Sequence, residues 1–287
     1  MAHRLSETII ASLARWCGRL HQVNARSALF DVYGDHLLSR GGAAPVAALV
    51  RILAPLEIAG PAVRTAISRM MRQQWLVPVV LTDGPGYRLS PRAELRLADA
   101  ASRIYRSGIA AWDGRWHLLV LDHVPTRATR ERVRTGLGYL GYAQLRDDTW
   151  ISPRSSSEVD GLLSSEGVRA RRFRADHDGD QAALTSTAWD LDGLALAYSR
   201  WLDEAETIVT GLPAEPSDRD AFVVRSKLVH GWRKFLFRDP GLPHEVLPPR
   251  WPGRDAAAFF DSVAARLLPG AGRYVDACLR PKGEIHG

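Results

Sequence analysis

Arg64, Thr65, Ser68, Arg69 and Arg72 fall within a stretch, Gly60 to Trp75, that contains no acidic residue. At about 100° per residue they share one side of a helix. Guanidinium groups and small hydroxyls so arranged donate hydrogen bonds to phosphate oxygens and to guanine edges in the major groove of a duplex. Val63, Ala66, Ile67, Met70, Met71 and Gln74 fall on the other side, where they can dock the helix on a core. An ordinary amphipathic surface helix has the same pattern, so the neighbouring sequence and the charge distribution must separate the two readings.

The neighbouring elements are those a reading head needs. Ser27 to Arg40 has Leu29, Val32, Tyr33, His36 and Leu37 at helical spacing and ends at Gly41-Gly42. Pro45 to Leu53 predicts a second short helix, and Gly60-Pro61 opens the third. Leu76 to Leu81 reads as a strand, Asp83 to Gly86 as a turn and Tyr87 to Ser90 as a second strand. Three helices and a hairpin make the winged helix-turn-helix order, in which the third helix is the reader.

The charge agrees. The 287 residues carry 38 basic and 32 acidic side chains, formally +6. Residues 1–110 hold 14 Arg and 7 acidic residues, a net of +7, whereas residues 111–287 net −1. The entire excess sits with the candidate reader, as phosphate binding requires. Lysine is confined to Lys227, Lys234 and Lys282, so a coding bias accounts for Arg over Lys, though not for this asymmetry.

Other classes are disfavoured. No run of about 18 apolar residues predicts a membrane span, and Arg4, Glu7 and Arg15 interrupt any signal-peptide core. Cys17 and Cys278 lack metal or redox spacing and suit a reduced cytoplasm. There is no GxSxG, zinc spacing, P-loop or Rossmann glycine set. No cofactor or metal is expected, and the chain reads as a non-enzyme. Asp176 to Asp180 holds only a fragment of calcium-loop spacing and reads as a linker.

The remainder divides further. Residues 1–24 form an extension with Leu5, Ile9, Leu13, Trp16 and Leu20 at weak helical spacing, and residues 25–90 form the reading head. Residues 91–111 read as a connecting helix. Residues 112–176 run strand (116–124), helix (130–142), hairpin (143–152), helix (155–165), strand (168–173), the β-α-β-β-α-β order of a ferredoxin-like domain. Residues 177–287 are expected to be helical, with main helices at 189–210, 220–237 and 256–268. The fold class is therefore α+β.

Four segments carry a family resemblance: PAVRTAISRM with the following WLV; WDGRWHLLVL; RVRTGLGYLGYAQL leading into TWISPR; and KFLFRDPGLPHEVLPPRWPG. In this order they resemble the PaaX-type transcriptional regulators, the repressor family of phenylacetic acid degradation, across about residues 27–276. The resemblance implies a winged helix, a middle domain similar to the small CRISPR-associated nuclease and a C-terminal helical domain for effector binding and dimerisation. It also implies a homodimer on palindromic operator DNA, released by an aryl-acyl coenzyme A thioester such as phenylacetyl-CoA. Two departures stand out. Ala59-Gly60-Pro61 replaces the acidic residue that family members often carry before the reader, and the wing has Arg88 as its only cation with Asp83 near its tip.

The DNA-binding set is thus Arg64, Thr65, Ser68, Arg69, Arg72 and Arg88. Arg225, Lys227, His230, Arg233, Lys234 and Arg238, interleaved with Trp232, Phe235 and Phe237, are candidates for holding an acyl-CoA effector; a solvated basic helix face explains the same cluster. The competing class is a metal-dependent nuclease built on Asp122, at the end of the first ferredoxin-like strand; a strand-end residue making turn hydrogen bonds is the preferred reading of that position.

Overall fold

The structure, a computed structural model, describes residues 24–82, 84–104 and 111–280. The expected helix around Leu5 to Leu20, Cys17, Asp83 and the end of the connecting helix lie outside these residues. The chain forms two compact units divided at Ser107/Gly108, Arg200/Trp201, Arg233/Lys234 and Ala256/Ala257. Residues 177–287, expected as one helical domain, contribute to both. Among the described residues no helix is long and apolar enough to cross a membrane.

The first unit opens with α1 (Ala25–Val32), capped by Asn24, whose Oδ1 accepts the Ser27 N–H at 2.9 Å. The expected single helix to Arg40 changes character on the way: Tyr33–Leu37 is a π turn and Leu38–Arg40 a 3₁₀ turn, ended by Gly41 at φ 83°. After β1 (Ala43–Pro45) come α2 (Val46–Leu53) and α3 (Gly60–Arg72), then β2 (Leu76–Leu81) and β3 (Gly84–Leu89). The sheet is antiparallel in the order β1-β3-β2, with Ala44 opposite Tyr87 and Val79 opposite Gly86. Gly86 is required there: a Cβ would stand 2.5 Å from Leu81 Cδ1 and 2.8 Å from the Ala44 carbonyl. α4 (Pro91–Ile104) follows, with Ser90 Oγ accepting the Ala93 N–H.

The core of this unit holds Leu29, Tyr33, Ile52, Val63, Met70 and Leu89, and also Phe222, Ala271 and Val275 from far along the chain. The latter belong to α9 (Asp218–Trp232) and α10 (Pro252–Leu279). Arg51 donates to the Cys278 carbonyl at 2.7 Å, Tyr274 Oη donates to the Arg51 carbonyl at 3.0 Å, and Arg40 pairs with Asp276 at 2.7 Å. The sequence placed the end of the last helix at Leu268, before Pro269-Gly270; α10 instead runs through Pro269.

The second unit carries β4 (Trp116–Leu121), α5 (Arg127–Tyr139), β5 (Ala143–Arg146), β6 (Thr149–Ser152), α6 (Glu158–Ser165) and β7 (Ala170–Ala175). The sheet is antiparallel in the order β5-β6-β4-β7. Leu119, Leu121, Val133, Leu137, Val159 and Leu163 fill one side. On the other, Trp116 and Ile151 cluster with Val246, packed against Leu184 and Trp189. Leu184 lies on α7 (Gln181–Ala188), a helix within the stretch expected to be helical but given no bounds of its own, and Trp189 precedes α8 (Leu191–Thr210). Asp180, the last residue of the calcium-like stretch, caps α7 by accepting the Ala182 N–H at 2.8 Å.

Candidate nucleic-acid interface

The helix α3 has no side-chain cap; Pro61 in its first turn supplies the right φ without needing a hydrogen-bond partner. Val63, Ala66, Ile67 and Met70 are buried, while Arg64, Thr65, Ser68, Arg69 and Arg72 are exposed. Among the described residues none of these three arginines is held in an ion pair. Met71, placed on the docking side by the spacing, is only half-buried. Gln74, placed there too, lies beyond the helix at φ 58° and is exposed.

The exposed face borders an open depression of about 480 Å3 lined by Val46, Arg64, Ile67, Ser68, Met71, Arg72 and Tyr87. Val46, Met71 and Tyr87 were not among the sequence candidates. Tyr87 reaches the depression through the β1-β3 pairing, which no local spacing announces. The hairpin is fixed to the end of α3: Ser90 Oγ donates to the Gln74 carbonyl at 2.8 Å and the Ser90 N–H to the Trp75 carbonyl at 3.0 Å. The Tyr33 hydroxyl donates to the Tyr87 carbonyl at 3.0 Å. Arg88 is exposed, and Val80, 95% exposed, gives the hairpin an apolar rather than a basic surface.

The α9 cations are arranged differently from the effector expectation. Arg225 is 3% exposed and grips Asp35 with Nε and Nη2 at 2.8 and 2.6 Å, and donates to the Ala264 carbonyl through Nη1. His230 Nδ1 stands 2.9 Å from Asp31 Oδ2, and Arg233 Nη1 3.0 Å from Asp31 Oδ1. Three of the six candidates therefore face buried carboxylates of α1 and its π turn. His36, beside Asp35, is 2% exposed; burial lowers its pKa from 6.5 to about 4. Lys227 is half-buried and Lys234 and Arg238 are exposed; the last two belong to the second unit.

Asp122, the candidate for nuclease chemistry, lies 3.5 Å from Arg169 Nε, and its N–H donates to the Arg169 carbonyl. Among the described residues no group of three or more His, Cys, Asp or Glu could hold a metal ion.

Comparison with known proteins gives this geometry a family. Residues 24–93 match the PaaX-like protein family, residues 109–185 the PaaX protein central Cas2-like domain and residues 189–277 the PaaX-like protein C-terminal domain. The Transcriptional repressor PaaX of Escherichia coli (strain K12) is 29% identical over 280 residues, covering 92% of this chain and 87% of that protein. The solved structure of the uncharacterized protein Rv0674 from Mycobacterium tuberculosis is 28% identical, with a TM-score of 0.62 over 89% of this chain and 99% of that one. With all three family regions matched in order, the chain belongs to the PaaX family of transcriptional regulators.

Proposed function

We propose that this chain is a DNA-binding transcriptional repressor, a regulator rather than an enzyme, whose reader is α3. The observation that carries the reading is the exposed Arg64, Thr65, Ser68, Arg69 and Arg72 face opposite the buried Val63, Ala66, Ile67 and Met70. In this reading residues 25–90 are a winged helix-turn-helix with α3 in the major groove. The second unit is a ferredoxin-like domain, in keeping with its strand order. Arg64 and Ser68, near the helix start, read bases; Arg69 and Arg72 hold phosphates. Arg88 adds one contact from the wing, whose apolar surface makes few others.

The repressor works as a cytoplasmic homodimer on a palindromic operator of a catabolic operon. An aryl-acyl coenzyme A thioester such as phenylacetyl-CoA releases it, with the exposed Lys234 and Arg238 suited to the phosphates. The support is kinship with a transcriptional repressor along the length of the chain.

A gel shift on the DNA flanking its gene, titrated with salt, tests the reading. Specific binding should weaken steeply with salt, by about 10³-fold or more between 50 and 200 mM if six or more phosphates are contacted. Indifference to duplex at low salt overturns the proposal. Repeating the titration with candidate thioesters tests release separately.

A further inference from the structure

A cavity of about 200 Å3 opens in the second unit between β4, β7 and the start of α6. Its floor is apolar and buried: Leu119, Val159 and the ring of Tyr142. Antiparallel register sets His117 opposite Arg174 and Leu119 opposite Arg172, so these four side chains share one face of the sheet. The rim is made of hydrogen-bond donors. Asp160 holds both terminal nitrogens of Arg172 and Asp113 holds one of Arg174, which fixes each guanidinium while leaving other N–H groups of its five available.

Two smaller donors complete the rim. Ser156 Oγ accepts the Glu158 N–H at 3.2 Å, so its hydroxyl proton remains to donate. His117, its pKa lowered by burial and by the nearby Arg174 and Arg172, is neutral at pH 7 and presents one N–H. The charges of the two arginines and the two aspartates cancel. That balance admits one negative charge and disfavours a polyphosphate. The size sets the other limit: a cavity of about 150 Å3 accommodates benzene, so this one takes a single ring or a branched chain with a short linker.

We propose that this cavity binds a small organic monoanion, its aromatic or branched aliphatic body on Leu119, Val159 and Tyr142 and its carboxylate between Arg172 and Arg174. The site is separate from α3 and from the thioester suggested above, and its ligand is a free acid.

Isothermal calorimetry on the full chain, without DNA, tests this with 3-phenylpropanoate, 4-methylpentanoate, 3-phenylpropanamide and inorganic phosphate as probes. Both carboxylates should bind saturably, with the amide and phosphate at least tenfold weaker. R172Q and R174Q should each weaken carboxylate binding at least tenfold while keeping the wild-type melting temperature, since each loses only an exposed ion pair. No carboxylate binding, an amide that binds as tightly, or unchanged affinity in both variants overturns the assignment. With no DNA in the experiment, its failure leaves the repressor reading standing, and the reverse also holds.

Discussion

Arg64 and Arg72 sit at opposite ends of one exposed face, and duplex binding should tell them apart. Arg64→Ala should cost about 1–3 kcal/mol and relax specificity at one base position. Arg72→Ala should weaken all duplexes alike and flatten the salt dependence by about one phosphate. Competition binding on a mutated operator series reads both. If the two profiles match, the division into base reader and phosphate holder fails. The buried charges are a separate residue-scale matter. Arg225→Met leaves Asp35 buried without its bidentate partner, and loss of one member of a buried pair costs about 3–5 kcal/mol. Denaturant unfolding should show it; a change below about 1 kcal/mol would mean that solvent or Arg40 reaches the site. His36 supplies a pH signature. Asp35 and Asp276 favour its charged form, Arg225 and Arg40 oppose it, and burial outweighs them all. Its folded pKa, about 4, lies below the 6.5 of the unfolded chain. As pH falls through 6.5 the unfolded state takes up a proton that the native state refuses, so stability drops, by about 2 kcal/mol between pH 7 and 5. His36→Leu should remove that part of the slope. An unchanged slope in the variant would place the titration elsewhere.

At the scale of elements, periodicity was a good guide wherever one face of an element is buried. The spacing around Val63, Ile67 and Met70 located α3 and its exposed face because helix geometry alone fixes which residues share a side. What spacing could not supply were contacts between distant segments. Arg225 and Asp35 are 190 positions apart, and His230 and Asp31 199, so the cations from Arg225 to Arg238 read as a free basic face although three of them meet carboxylates. Tyr87 enters the depression beside α3 only through strand pairing. The last helix shows packing overriding a local stop signal. Pro269-Gly270 reads as a break, yet α10 continues, with Gly270 so close to α9 that a Cβ would lie 3.0 Å from Ala221 Cβ. Proline inside a helix forfeits a backbone hydrogen bond, and the tertiary contacts of Ala271 and Val275 offset that loss. Pro269→Ala should therefore stabilise the chain by about 1–3 kcal/mol in denaturant unfolding. Destabilisation instead would mean that the restricted φ of Pro269 itself helps hold the helix against α9.

At the scale of the molecule, the N-terminal region that contains α3 is not self-contained. Its family region ends at residue 93, but the core around Tyr33, Ile52 and Leu89 is completed by Phe222, Ala271, Val275 and Cys278. The Phe222 ring lies tilted against His36, 5.7 Å between centroids, and against Tyr274, 4.9 Å. Three hydrogen-bonded ties, at Arg40, Arg51 and Tyr274, hold α10 to the same surface. Full burial of each large apolar side chain is worth about 1.5–3 kcal/mol, and a small domain has only about 5–15 kcal/mol of net stability. A fragment of residues 24–93 would expose the surface that α9 and α10 cover and would set its Asp31 and Asp35 beside no cation from α9. It should melt well below the full chain, or without a cooperative transition, and bind operator duplex more weakly under the same salt. Circular dichroism melts of the fragment and the whole protein, with parallel gel shifts, measure both effects. Equal stability and equal affinity would mean that the C-terminal helices merely rest on a head that folds alone. The expected loss would mean instead that any ligand shifting α9 or α10 acts directly on the core beneath α3.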